Sequence, residues 1–455
     1  MISRQDRLIK NVATFEELSE KILPYRDRER VMDEWLRVRY KEVLPMIMKR
    51  SGIDSWVIAC NEYNEDPVIK TLTPCAMFTA RRTTILVMIL EGDEVKRYSI
   101  TRPNVGLDEF YEAIWVNQKD SLWCKDPSKA ETQYECLARI LKEHNVKKVG
   151  LNMSKDFAFA DGLTKTMYDS ITECFDEDLM SKIVSAEDLC VGWLETRTEC
   201  EMEAYNSIMM IAHAMIDEAF SSKVITPGVT TNHDVKYWML NKCLTLGLEP
   251  WFDFEVSIIR NGVKGHDESE GTIAGIGQFH ESEVIRQGDV LHCDVGFRYL
   301  GLCTDTQENA YILKHDEDDA PKGLKQALAD VNKFQDIVLS NFKEGRSGNE
   351  ILKLSLEEGR KQGLKPCLYT HPIGYDGHAA GPTIGLFDKQ QGVKGRNGTY
   401  PLYNNTAYSL ELNCKVNVPE WGSDEFALGL ETDVLFTKDK TYFLGGRQEN
   451  FHLVK

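Results

Sequence analysis

The 455-residue sequence has no surplus of positive charge: 54 Lys and Arg stand against 72 Asp and Glu, a formal charge of −18. Neutralising phosphates takes basic side chains in excess on one face, so no nucleic-acid partner is expected. Long apolar runs are also missing. The best candidate, Thr83 to Leu90, is strand-sized and follows Arg81 and Arg82, far short of the roughly 20 residues of a membrane helix, so no membrane association is expected. The charged opening MISRQDRLIK has no apolar h-region, which makes the cytoplasm the expected compartment. Twelve cysteines are scattered without a CxxC pair, so a disulfide framework, a zinc ribbon and an iron–sulfur site drop out. No repeat of 20 to 50 residues and no low-complexity tract is present, which removes solenoids.

What is present suits a globular protein. At 42% apolar and 9% aromatic residues the chain can bury a core, and its length suits two or three domains. The first half reads as α/β. An amphipathic stretch from about Arg28 to Arg50 precedes apolar runs at 55–60, 84–90 and 113–116, a helical run at 130–145 and a strand-like run at 147–152. A second segment opens on a charged stretch from Glu195 and continues as a long helix through Ile208, Ile211, Met215 and Phe220. Pro227-Gly228 ends it, and another helix starts after Thr230-Thr231. The expected domains are therefore 1–196 and 197–455.

The chemistry lies in the second half. Gly288 to Leu313 is apolar on both arms with Gly296 and Gly301 near the middle, which predicts a hairpin turning at Tyr299-Leu300 and places Asp294 opposite Asp305. Facing carboxylates repel, so a positive group should sit between them; the bland alternative points one Asp to solvent. Glu411 and Glu431 lie in strand-like runs on either side of a turn-rich segment, and pairing symmetric about residue 421 brings them together. Between the hairpins, Thr370 to Pro382 carries His371 and His378 among glycines. Imidazole is the usual nitrogen donor in an oxygen-rich metal site, while a lone loop histidine is more often simply satisfied. Two Asp, two Glu and one His make a hard donor set for a pair of divalent cations such as Mn, Co, Fe or Zn. The loops at 261–271 and 385–405 read equally as substrate-shaping lids or surface insertions.

At this point the chain resembles the pita-bread metallohydrolases, the superfamily of methionine aminopeptidase, Xaa-Pro aminopeptidase, prolidase and creatinase. The order Asp294, Asp305, His371, Glu411, Glu431 matches its five ligands, and the HxxGxxxH spacing of His371 and His378 is similar to the family's. The start at Arg197 and the two-domain plan resemble the Xaa-Pro aminopeptidase and prolidase branch. The fold this implies is α+β, a creatinase-like α/β N-terminal domain followed by a pita-bread catalytic domain. The resemblance implies that Asp294 chelates one cation, that His371 and Glu411 hold the other, and that Asp305 and Glu431 bridge both, with a hydroxide between them as nucleophile. It further implies Glu411 as proton shuttle, His378 as a contact to the substrate carbonyl, His280 as a substrate contact, a small peptide substrate and a homodimer. Three positions depart from the pattern. His280 stands 14 residues before Asp294, closer than the family's usual histidine; Gly429 stands where proline-specific members tend to carry Arg; and His378 is flanked by Gly377 and Ala379. The leading expectation is a metal-dependent exopeptidase acting at an N-terminal or dipeptide bond, of Xaa-Pro type. Hydrolysis of a non-peptide C–N bond and a catalytically silent binding protein are the alternatives.

Overall fold

Several helices begin where a short polar side chain precedes good helix formers. Thr132, Thr231 and Ser347 each accept from the backbone three residues on while Glu135, Asp234 and Glu350 reach back, so Gln133–Glu143, Asn232–Thr245 and Gly348–Lys361 all start on capping boxes. The computed structural model describes residues 14–102, 106–263, 276–422 and 425–455. They form two compact units. One is Leu23–Thr198; the other is Glu199–Lys455 together with the segment ending at Ile22.

In the first unit the helix Tyr25–Ser51 precedes a six-stranded sheet, ordered Glu112–Ala113, Glu94–Ile100, Thr83–Glu91, Ser55–Asn61, Val149–Leu151, Ile183–Ser185. The expected apolar runs form its two central strands, buried almost end to end. The run at 113–116 contributes only an exposed edge pair, Glu112–Ala113. Helix Gln133–Glu143 packs Leu137, Ile140 and Leu141 against Val57, Val87, Ile89 and Val149. Arg39 is fully buried in the long helix; its Nη1 donates to the Thr196 carbonyl (2.7 Å) and its guanidinium lies 4.3 Å from the Trp193 ring. An internal partner is what makes such burial tolerable.

In the second unit the long helix is Glu199–Ala219, followed by Asn232–Thr245. Phe15, on the short helix Phe15–Ser19, is buried with its ring 6.4 Å from that of Trp238. One sheet runs Glu255–Ile259, Val290–Val295, Thr306–Ile312, His452–Val454. A second runs His371–Ile373, Thr406–Ser409, Asp433–Phe436, Thr441–Phe443, and a third Pro366–Leu368, Leu412–Asn417, Glu425–Leu430. Helices Lys322–Ser340 and Gly348–Lys361 supply Leu324, Leu328, Val331, Phe334 and Leu356 to a core shared with Leu412, Cys414, Leu428 and Leu430.

The two hairpins that carry the acids behave differently. Symmetry about residue 421 holds, with Ser409 opposite Asp433 and Leu412 opposite Leu430. The other hairpin corrects the expectation. Asp294 pairs with Gln307 rather than Asp305, because the turn lies at Leu300-Gly301, where both residues have positive φ (53° and 77°). Moving the turn by one residue moves every cross-strand partner by two. The segment 385–405 is pinned by two amides. The Gln390 side chain spans the N–H and C=O of Leu368, that of Asn349 spans those of Val393, and the short helix Arg396–Thr399 follows. The 261–271 loop lies from residue 264 onward outside the described residues. Among the described residues no helix is long and apolar enough to cross a membrane.

Candidate metal centre

Two of the five expected ligands lie within strands, and three lie just outside strand ends or at breaks between strands. Asp294 lies in Val290–Val295, Asp305 immediately precedes Thr306–Ile312, and His371 opens His371–Ile373. Glu411 follows Thr406–Ser409 and Glu431 follows Glu425–Leu430, each at a break between strands. These breaks turn both Glu side chains toward the same point as the Asp pair. Ligand atoms of Asp305, His371 and Glu431 lie within 4.8 Å of one another, as do those of Asp294, Glu411 and Glu431. Glu431 belongs to both groups, and Glu411 falls with Asp294, where the resemblance implied His371.

The electrostatics of this cluster are unfavourable without a cation. Burial first, then the charge of Glu431, raise the carboxyls of Asp294, Asp305 and Glu411 well above the usual range. Burial lowers the basicity of His371, but Glu431 and Glu411 outweigh it and bring its pKa to about 9. His371 Nδ1 donates to the Pro372 carbonyl (3.0 Å), and Nε2 points at Asp305 Oδ2 and Glu431 Oε1, 3.6 Å from each. Asp294 Oδ1, Asp305 Oδ1, His371 Nε2 and Glu431 Oε2 are buried without hydrogen-bond partners. Four orphaned donor atoms of ligating type, drawn from both groups, fit divalent cations; buried polar atoms are otherwise paired.

His378 sits at the exposed side of the cluster, its ring 4.6 Å from that of His371 and 5.4 Å from that of Trp251. Burial and the neighbouring His371 lower its pKa, which keeps the imidazole neutral. Gly377 is required beside it, since a Cβ there would stand 2.4 Å from the Trp251 ring. His280 lies outside both ligand groups and forms a short ion pair with Glu255, itself the cross-strand partner of Asp294. At Gly429 a Cβ would stand 1.8 Å from Ile276 Cδ1, so a side chain there would require Ile276 to move.

Sequence reasoning missed four polar residues around the ligands. Gln307 donates from Nε2 to Glu411 Oε1 (2.7 Å) and Asp294 Oδ2 (3.2 Å), and His292 Nε2 lies 3.0 Å from Gln307 Oε1. Burial brings the pKa of His292 down to about 4, so its ring is neutral. Ser409 Oγ donates to Glu431 Oε1 (2.6 Å), and Asp433 Oδ2 accepts from the Asp305 N–H (3.4 Å). The available signal was the period of two, which puts positions 292 and 307 on the face of Asp294 and position 433 on that of Glu431.

A mixed α/β unit that gathers four carboxylates and one imidazole into two groups sharing Glu431 defines a candidate metal-dependent centre. The model of metallopeptidase family M24 matches residues 203–438, and the chain belongs to that family. Solved structures share the pita-bread fold over most of the chain. The X-Pro aminopeptidase from Thermotoga maritima is 18% identical, with 90% of this chain and 100% of that chain covered at a TM-score of 0.61. The Xaa-Pro dipeptidase from Bacillus anthracis is 18% identical, with 94% and 100% covered at 0.53. The prolidase from Pyrococcus furiosus is 15% identical, with 89% and 100% covered at 0.53. At these identities the likeness speaks for the fold. A search of curated proteins gives no significant match.

Proposed function

We propose that the protein is an exopeptidase dependent on two divalent cations, one held by Asp305, His371 and Glu431 and the other by Asp294, Glu411 and Glu431, acting at an N-terminal or dipeptide bond of Xaa-Pro type. The observation that carries the reading is the set of orphaned buried donor atoms contributed by both groups around the shared Glu431. When bound, such cations supply Lewis acidity and lower the pKa of water to about 7.

The chain's own residues complete the chemistry. Glu411, which lies in one ligand group and accepts from Gln307 Nε2, is placed to take a proton from water and return it to the leaving amine. Neutral His378, on the exposed side, offers an N–H to the substrate carbonyl oxygen as charge develops there. Trp251 braces His378 edge-on, which limits its rotation. His280, anchored by Glu255, would contact the substrate from the rim.

The test is hydrolysis of Xaa-Pro dipeptides, Xaa-Pro tripeptides and matched Xaa-Ala peptides by the metal-stripped protein with and without Mn, Co or Zn, alongside Asp305→Ala. Metal-dependent cleavage abolished in Asp305→Ala supports the reading, and the dipeptide to tripeptide ratio separates dipeptidase from aminopeptidase. Gly429, which offers no side chain to the substrate, favours a second reading, hydrolysis of a non-peptide C–N bond at the same centre. Two bound ions without cleavage of any peptide would select it.

A further inference from the structure

Gln307 holds three of the four acids of the cluster at once. Its side chain donates to Asp294 Oδ2 and Glu411 Oε1, and its main chain exchanges hydrogen bonds with that of Glu431, N–H to C=O at 3.1 Å and 3.3 Å. Ionised to hold a cation, Asp294 and Glu411 only accept, so the amide nitrogen must face them and Oε1 must face His292. His292 Nε2 therefore carries the hydrogen of that 3.0 Å bond, which fixes the amide against flipping. Asp294 is the direct cross-strand partner of Gln307, so the amide reaches it without backbone adjustment. Room for the amide comes from Gly429, whose hypothetical Cβ would lie 3.3 Å from Gln307 Oε1.

The contacts are one-sided. Gln307 grips Asp294 by Oδ2 and leaves Oδ1 without a partner, while among the described residues no hydrogen bond joins its side chain to Asp305 or His371. We infer that Gln307 is a positioning residue for one cation only, fixing which oxygens of Asp294 and Glu411 face the position they share with Glu431. This rests on the two-cation reading. The His371-containing position is set by different neighbours, Ser409 on Glu431 and Asp433 on the Asp305 backbone.

A hydrogen-bonding partner of a ligand is typically worth 10- to 100-fold in metal affinity. The test is a Co2+ titration of the metal-stripped full chain by calorimetry, in wild type, Gln307→Met and His292→Phe. Methionine preserves the length and volume of glutamine but donates nothing. The histidine position is identified by the paramagnetically shifted imidazole N–H resonance that Co2+ produces. Gln307→Met is expected to weaken the ion without that signature by about 10- to 100-fold and to leave the His371-linked ion within about threefold. His292→Phe, which frees the amide to rotate, is expected to move the same ion in the same direction by less. Equal weakening of both ions, or no change in Gln307→Met, would overturn the inference while leaving the two-cation reading intact. Wild type binding a single ion would overturn both.

Discussion

Glu431 is common to both ligand groups, whereas Asp294 belongs to one. Glu431→Ala is therefore expected to bind no cation at equilibrium dialysis concentrations at which Asp294→Ala still retains one, with atomic emission counting the ions. Asp66 is a buried acid of the first unit. Asp66 accepts from the Val68 N–H (2.9 Å) and from Asn152 Nδ2 (2.8 Å), and burial outweighs both to bring its pKa up to about 6. A carboxyl raised in the folded state binds its proton more tightly there than in the unfolded chain. Its contribution is fully present below the unfolded value near 4 and is lost as pH rises toward 6, at about 1.4 kcal/mol per pH unit. Urea unfolding of the first unit between pH 4 and 7 is expected to show wild type losing roughly 2 kcal/mol more than Asp66→Ala; parallel curves would refute this.

At the scale of elements, the tightest constraint is the hairpin turn at Leu300-Gly301. Gly301 takes φ of 77° freely, and a Cβ there costs about 1 to 2 kcal/mol. Gly301→Ala is expected to lower unfolding stability by about that amount, and Gly301→Asn by less, because Asn tolerates this region. The same turn marks the limit of what could be read from sequence. The acids themselves were legible, because Asp294, Asp305, His371, Glu411 and Glu431 follow a spaced order. The Glu411 and Glu431 pairing was legible too, since a symmetric hairpin keeps its register through the strand breaks. Asp294 and Asp305 were misaligned because a leucine at positive φ leaves no mark in sequence. Gln307 escaped because it stands in the unbroken polar run from Thr304 to Asn309, which reads as solvent-facing, and only the folded sheet reveals that both faces of Thr306–Ile312 are buried. Strand Glu94–Ile100 is hidden by the charges of its exposed first half, whereas the Ser347 capping box before Gly348–Lys361 is legible in the sequence.

For the whole molecule, cation binding should stabilise the unit that supplies the ligands. At free Mn2+ one hundred times the dissociation constant the gain is about 2.7 kcal/mol. Calorimetric scans with and without Mn2+ are expected to show the transition of the second unit moving up while that of the first stays in place. In the first unit the sheet and helices come from one continuous stretch, Leu23–Thr198; in the second, the Phe15–Ser19 helix must find partners synthesised only after that stretch is complete. Closing so long a loop is entropically slow, and domains fold as units in the order the ribosome releases them. The first unit can thus be native while Phe15 is still waiting for Trp238, so the order of biosynthesis is also an order of assembly, with the unit that carries the carboxylate cluster completed last.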